Sequence, residues 1–153
     1  MKVVLVHPEI PQNTGNIART CAATNTGLVL VRPLGFSLSD RQMKRAGLDY
    51  WKSVSLEVVD ELHLEQPFFF FSSKAKRVYT EASYPKNSLL IFGSETSGLP
   101  AEFWEKYPDH FYRIPMVEGE RCLNLSSSAA IVLYEALRQN RFDFSGSLPP
   151  LFQ

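Results

Sequence analysis

Apolar residues gather along this 153-residue chain in short runs, at Val3–Val6, Leu28–Val31, Val54–Val59, Phe68–Phe71, Ser88–Phe92 and Phe111–Ile114. Runs of that length with little polar alternation predict strands covered on both faces. Helix signals lie between them. After Val6, two prolines (Pro8, Pro11) hold the chain extended, and Asn13, Thr14 or Asn16 can cap a helix. Ile17, Cys21 and Ala22 or Thr24 give that helix an inner face, and Gly27 ends it. Ser39 and Asp40 open a basic helix that stops at Gly47, followed by the aromatic pair Tyr50-Trp51. Asp60–Glu65 reads as one or two helical turns, and 72–77 as a polar, basic loop. Pro100 suits a first helical turn, with a short helix over Ala101–Tyr107. Asn124 or Ser126 can cap a final helix, which Ala129, Ile131, Val132, Leu133 and Leu137 continue. The tail at 145–150 is irregular in pattern. Strands alternating with helices imply one α/β domain over residues 1–153, with a mainly parallel sheet flanked by helices and a right-handed first crossover.

Composition narrows the chemistry. No apolar run approaches the roughly 18–20 residues that a bilayer span needs, and the N-terminus opens on a strand rather than a signal peptide. Cys21 and Cys122 form no disulfide framework and no C-x-x-C pair, which suggests reduced thiols in the cytoplasm. His7, His63 and His110 lie far apart without metal-ligand spacing, so no metal is expected. Basic and acidic residues balance at 16 each. The distribution is uneven: residues 1–52 carry seven basic side chains against three acidic ones. A local basic face that Lys74, Lys76 and Arg77 extend is compatible with nucleic acid, as it is with an ordinary solvated surface. There is no G-x-x-x-x-G-K-[ST], and no G-x-G-x-x-G follows the first strand, which disfavours P-loop and dinucleotide-binding readings. No nucleophile-elbow pattern places a histidine near a serine.

Three loops follow strand ends, at Pro11–Arg19, Gly93–Leu99 and Pro115–Ser126, where open α/β sheets bind ligands. The last enters its helix through Asn124 and three serines, which offers backbone N–H groups and hydroxyls to a polar ligand. Ile114, Met116 and Leu123 can wall it with apolar surface, an arrangement suited to a flat heterocycle. An ordinary capped helix has the same pattern.

Taken together, Asn13-Thr-Gly-Asn-Ile-Ala-Arg19, Phe92-Gly-Ser-Glu-Thr-Ser-Gly-Leu99 and Ile114-Pro-Met with Arg121-Cys-Leu-Asn-Leu-Ser-Ser127 resemble the three motifs of the SPOUT superfamily of RNA methyltransferases. The chain is most similar to the small tRNA 2′-O-methyltransferases of the TrmL (YibK-like) group, which Pro8–Asn16 and Lys44–Tyr50 also resemble. That resemblance implies a C-terminal trefoil knot around S-adenosylmethionine, which general connection rules disfavour. It further implies a homodimer with sites completed across the interface, and no separate RNA-binding domain. The dimer surface would then hold the tRNA anticodon stem-loop. The implied reaction is methyl transfer to the ribose 2′-hydroxyl of the wobble nucleotide, a cytidine or modified uridine. Another tRNA or rRNA ribose, or a non-catalytic nucleotide-binding module, is the alternative.

The resemblance also assigns residues. Arg19 is the expected catalytic residue, as a hydrogen-bond donor to phosphate and developing alkoxide, because a guanidinium makes a poor base. Asn13 would shape its loop. Glu95 would organise its own loop, pair with Arg121 or contact substrate. Phe71, Gly93, Ile114, Met116, Cys122, Leu123 and Ser126 form the expected cofactor set, with Gly93 allowing close backbone approach. Cys122 stands where relatives often have serine. Lys44, Arg45, Lys74, Arg77 and Arg121, with Arg19, are the expected RNA contacts.

Overall fold

The computed structural model describes residues 1–39 and 50–144. The basic helix expected from Ser39 and Asp40, with Lys44 and Arg45, and the tail at 145–150 fall outside those residues. The strands are β1 (Lys2–Val6), β2 (Gly27–Val31), β3 (Leu56–Val59), β4 (Phe68–Phe71), β5 (Arg77–Val78), β6 (Leu89–Phe92) and β7 (Phe111–Arg113). Among the described residues the α-helices are α1 (Pro11–Ala23), α2 (Ala101–Lys106) and α3 (Leu125–Gln139). Every strand pairing is parallel, in the order β3-β2-β1-β6-β4-β7-β5. The chain builds outward from β1 to β3, then crosses to the other side of β1. The loops leaving β1, β6, β4 and β7 therefore emerge side by side at the carboxyl edge.

Period-2 alternation within the apolar runs divides them between two cores. Val3, Leu5, Leu28, Leu30, Leu90 and Phe92 face α1 and α3, while Val4, Val6, Val29, Val31 and Ile91 face α2. The four phenylalanines of β4 split the same way: Phe69 and Phe71 join the first core, Phe68 and Phe70 the second. Phe71 stacks on Phe92 with ring centroids 4.9 Å apart, and Phe70 on Phe111 at the same distance. The bulk of this strand is thus absorbed by aromatic neighbours on both faces. At the far end of α3, the Gln139 amide donates to the Ala82 carbonyl and the Asn140 amide to the Tyr84 carbonyl, each bond 2.8–2.9 Å long.

Three local expectations need correction. Asn13, Thr14 and Asn16 do not cap α1, because the helix begins at Pro11 and all three lie inside it. Proline supplies the fixed φ of a first helical residue and has no N–H to satisfy, so the start moves upstream. Asp60–Glu65 is not helical. Leu62 and Leu64 alternate with exposed neighbours and pack on the α2 face, as an extended segment does. The loop at 72–77 ends in the short edge strand β5, where Arg77 and Val78 pair with Tyr112 and Arg113.

Candidate active site

The site is built around a tight turn after β6. Ser94 and Gly98 exchange two backbone hydrogen bonds, Ser94 N–H to Gly98 O at 3.1 Å and Gly98 N–H to Ser94 O at 3.0 Å. Gly98 sits at φ +70°, in the left-handed region. A Cβ on Gly93 would lie 2.1 Å from the Gly98 carbonyl carbon and 2.3 Å from Leu99 N. The close approach that Gly93 permits is therefore between the chain's own backbones.

This turn is clamped to the loop after β1 by two carboxylates working in opposite directions. Glu9 accepts from Thr96 N–H at 3.2 Å and from Thr96 Oγ1 at 2.6 Å. Glu95 accepts from Glu9 N–H at 2.8 Å (Oε2), Ile10 N–H at 3.2 Å (Oε1) and Asn13 Nδ2 at 3.0 Å (Oε1). Ile10 is the N-cap residue of α1, and no side chain of α1's own segment caps it. The Glu95 carboxylate, 85 positions away, takes over at that helix end, where the macrodipole also favours negative charge. Glu95 is engaged by these three donors and does not pair with Arg121, which is exposed.

From Glu95 a polar chain runs to the third loop. Asn13 Oδ1 accepts from Asn124 Nδ2 at 2.9 Å, and Asn124 Oδ1 caps α3 by accepting from Ser126 N–H at 2.8 Å. Both ends have fixed polarity, a backbone N–H at Ser126 and an acceptor-only carboxylate at Glu95. Those ends leave one consistent orientation for both amides. The chain thus ties the loops after β1, β6 and β7 into one piece. Of the two caps the sequence allowed for α3, Asn124 is the one formed; Ser126 Oγ donates to the same Asn124 oxygen at 2.6 Å.

These loops enclose a cleft of about 420 Å³. Phe71, Gly93, Ile114, Met116, Cys122 and Leu123 line it, together with Asn13, Glu95 and Lys74. Ser126, bonded to Asn124, does not line it. Cys122 Sγ donates to Ser73 Oγ at 3.1 Å, joining the loops after β4 and β7. Cys21, by contrast, is sealed between α1 and the sheet, and burial pushes its thiol pKa up to about 12. A second cleft of about 500 Å³ lies across the 94–98 turn, with His7, Lys74 and Trp104 on its walls.

Arg19 is exposed on α1 and does not line the cleft of its own chain; its guanidinium lies over the Tyr50 ring, 5.0 Å from the centroid. Arg77 is held at the sheet edge, stacked over Tyr112 at 4.5 Å and donating to the Asp109 carbonyl at 2.8 Å. Glu9, Thr96, Ser73 and Tyr50 received no role from the sequence. Glu9, Thr96 and Tyr50 lay within quoted motifs and Ser73 did not, and nothing local marks Thr96 as the partner of Glu9. Among the described residues no group of three His, Cys, Asp or Glu side chains is placed to hold a metal, and no helix is long and apolar enough to cross a membrane.

An all-parallel sheet with a cleft between loops at its carboxyl edge defines an open α/β protein built to bind a small ligand at that edge. Comparison with known proteins narrows this: residues 1–134 match the SpoU rRNA Methylase family, and the chain belongs to it. It is 52% identical over 151 residues to a Geobacillus stearothermophilus protein provisionally named tRNA (cytidine(34)-2′-O)-methyltransferase, with 93% of this chain and 96% of that protein covered. A solved structure described as giving insight into 2-OH methylation of C/U34 on tRNA superposes with a TM-score of 0.86 at 42% identity, covering 92% of this chain and 95% of that one. The SpoU methyltransferase AviRb from Streptomyces viridochromogenes, solved with AdoMet, shares the fold at a TM-score of 0.80 and 23% identity, covering 92% of this chain and 60% of that one.

Proposed function

We propose that this chain is an S-adenosylmethionine-dependent tRNA methyltransferase acting on the ribose 2′-hydroxyl of the wobble nucleotide, cytidine or modified uridine. The observation that carries the reading is the tied cleft at the sheet's carboxyl edge, found in a chain so similar to proteins named for that reaction. The donor set fits the cofactor. Phe71, Ile114, Met116 and Leu123 offer apolar walls for an adenosyl group, and Gly93, Cys122 and the loop backbones offer polar edges. When bound, S-adenosylmethionine supplies an electrophilic sulfonium methyl. Ser126 contributes by fixing Asn124 rather than by facing the ligand.

Arg19 holds the substrate phosphate and stabilises negative charge on the 2′-oxygen as its proton passes to solvent. Asn13 and Glu95 act by fixing the start of the helix that bears Arg19. The enzyme works as a homodimer in the cytoplasm, with Arg19 of one protomer serving the cleft of its partner. Two features support this: Arg19 does not line its own chain's cleft, and α3 exposes Ile131 and Tyr134. The segment after β7 is threaded as a trefoil knot. In support, β7 lies between β4 and β5, yet α3 packs back against α1. The anticodon stem-loop rests on Lys44, Arg45, Lys74 and Arg121, with Arg77 at the sheet edge. Methyl-labelled cofactor, purified protein and total tRNA, followed by nuclease mapping, test the reading. Label on the wobble ribose is expected; label on a base, on another position, or none at all overturns it.

A further inference from the structure

The contact that Arg19 makes within its own chain sets up a role for Tyr50. Arg19 is exposed, flanked on α1 by the buried Ile17 and Ala18, so the helix backbone beneath it is fixed while its long side chain is free to sample many rotamers. Among the described residues no carboxylate forms an ion pair with it, and its guanidinium lies over the Tyr50 ring. At 5.0 Å from the centroid the guanidinium is within cation–π range. Tyr50 is itself anchored. Its carbonyl accepts from Ser53 N–H at 2.9 Å and Val54 N–H at 3.0 Å, Val54 is buried, and Trp51 packs on the core shared by α1 and α3.

The nature of the contact matters for chemistry. A carboxylate would hold Arg19 by consuming its in-plane N–H donors and neutralising its charge. An aromatic face holds the cation from one side and leaves the fork of N–H groups at the edge available for a phosphate or an oxyanion. We propose that Tyr50 is the positioning residue for Arg19: it holds the guanidinium by its ring face so that the free edge is presented to RNA. This rests on the role given to Arg19 above.

The test is a double-mutant cycle in the full chain. Tyr50→Leu should lower the single-turnover rate at saturating tRNA and cofactor by about two- to thirtyfold, the range that a lost cation–π contact spans. Tyr50→Phe, which keeps the ring face, should stay within about twofold of the parent. S-adenosylmethionine affinity by calorimetry should be unchanged in both variants, and the thermal midpoint unchanged in Tyr50→Phe and lower by no more than about 8 °C in Tyr50→Leu, the share of the lost contact itself. If Tyr50→Leu melts early, Tyr50→Gln replaces it at this half-exposed position. In the cycle, Tyr50→Leu should weaken tRNA binding in the Arg19 protein and have no further effect in Arg19→Ala. An equal loss in both backgrounds means that Tyr50 touches RNA itself or only supports the fold, and overturns the proposal. So does a Tyr50→Phe variant as slow as Tyr50→Leu. Either outcome, on an enzyme that Arg19→Ala silences, leaves the proposed methyl transfer standing. Full turnover by Arg19→Ala overturns this proposal together with the role of Arg19.

Discussion

Replacing Asn13 with Asp tests the polarity of the chain that joins the three loops. The side chains are nearly isosteric, and Asn13 is only 5% exposed, so packing is preserved while the donor to Glu95 Oε1 at 3.0 Å becomes a second carboxylate oxygen. Losing a hydrogen bond to a charged group costs about 1.5–3 kcal/mol. A negative charge in the first turn of α1 returns about 0.3–1 kcal/mol through the helix dipole. The net loss at neutral pH is then roughly 0.5–2.7 kcal/mol, or a thermal midpoint lower by about 1–11 °C for a chain of this size. The loss should depend on pH. Two facing carboxylates resist double ionisation, so the variant's pair has a folded pKa raised above its unfolded value. Such a group stabilises the fold fully below the unfolded pKa and loses that contribution as pH rises through the folded one. Melting curves from about pH 5 to about pH 8 should therefore show the gap between Asn13→Asp and the parent widening with pH. Asn13→Ala should show a gap that stays constant over the same range. An Asp variant as stable as the parent at neutral pH, or a pH-independent gap, would refute the assigned direction of these hydrogen bonds.

Arg19→Ala should abolish methyl transfer to tRNA while calorimetric binding of S-adenosylmethionine survives; loss of both would mean that Arg19 supports the cleft instead. Gly93→Ala should lower the thermal midpoint by about 2–12 °C, since overpacking typically costs about 1–3 kcal/mol and the clash here is with backbone that cannot swing aside. Cofactor binding should be lost with it, and a variant that melts and binds normally refutes the close approach at Gly98. In Ellman titration of the native protein near pH 8, exposed Cys122 should react at once and Cys21 only on unfolding, because burial keeps the Cys21 thiol protonated. S-adenosylmethionine should slow the Cys122 reaction; an unaffected rate would place the cofactor away from that wall of the cleft.

Among the described residues the strands were legible because six of the seven fall on apolar runs, most of which a parallel sheet buries on both faces, and Phe68–Phe71 is the extreme case. β5 was not, since two residues at a sheet edge carry no periodicity and owe their conformation to β7. Leu62 and Leu64 were misread because Asp60–Glu65 is too short to separate period 2 from period 3.6, and the deciding fact is the α2-side core beneath them. At the site, Gly93, Ile114, Met116 and Leu123 could be named from motif positions. The reason Gly93 must be glycine could not, because it depends on where Gly98 and Leu99 fold back.

The start of α1 shows most sharply what a local reading lacks. Asn13 and Thr14 have the chemistry of helix caps, and Pro11 has that of a first helical residue; only the second role is used, because the capping acceptor arrives from the loop after β6. That arrangement has a functional consequence. The carboxylate that fixes the first turn of the Arg19 helix belongs to the turn that lines the cleft, and the amide that bridges them, Asn13, is bonded onward to the cap of α3. A displacement of the 94–98 turn cannot leave α1 where it was without breaking hydrogen bonds to a carboxylate in a half-buried setting, which are among the stronger ones available. The ligand cleft and the helix that carries Arg19 are therefore held in register by a few polar atoms. Substitutions at Glu95 should accordingly move RNA-dependent and cofactor-dependent readouts together, whereas substitutions at Arg19 or Tyr50 should separate them.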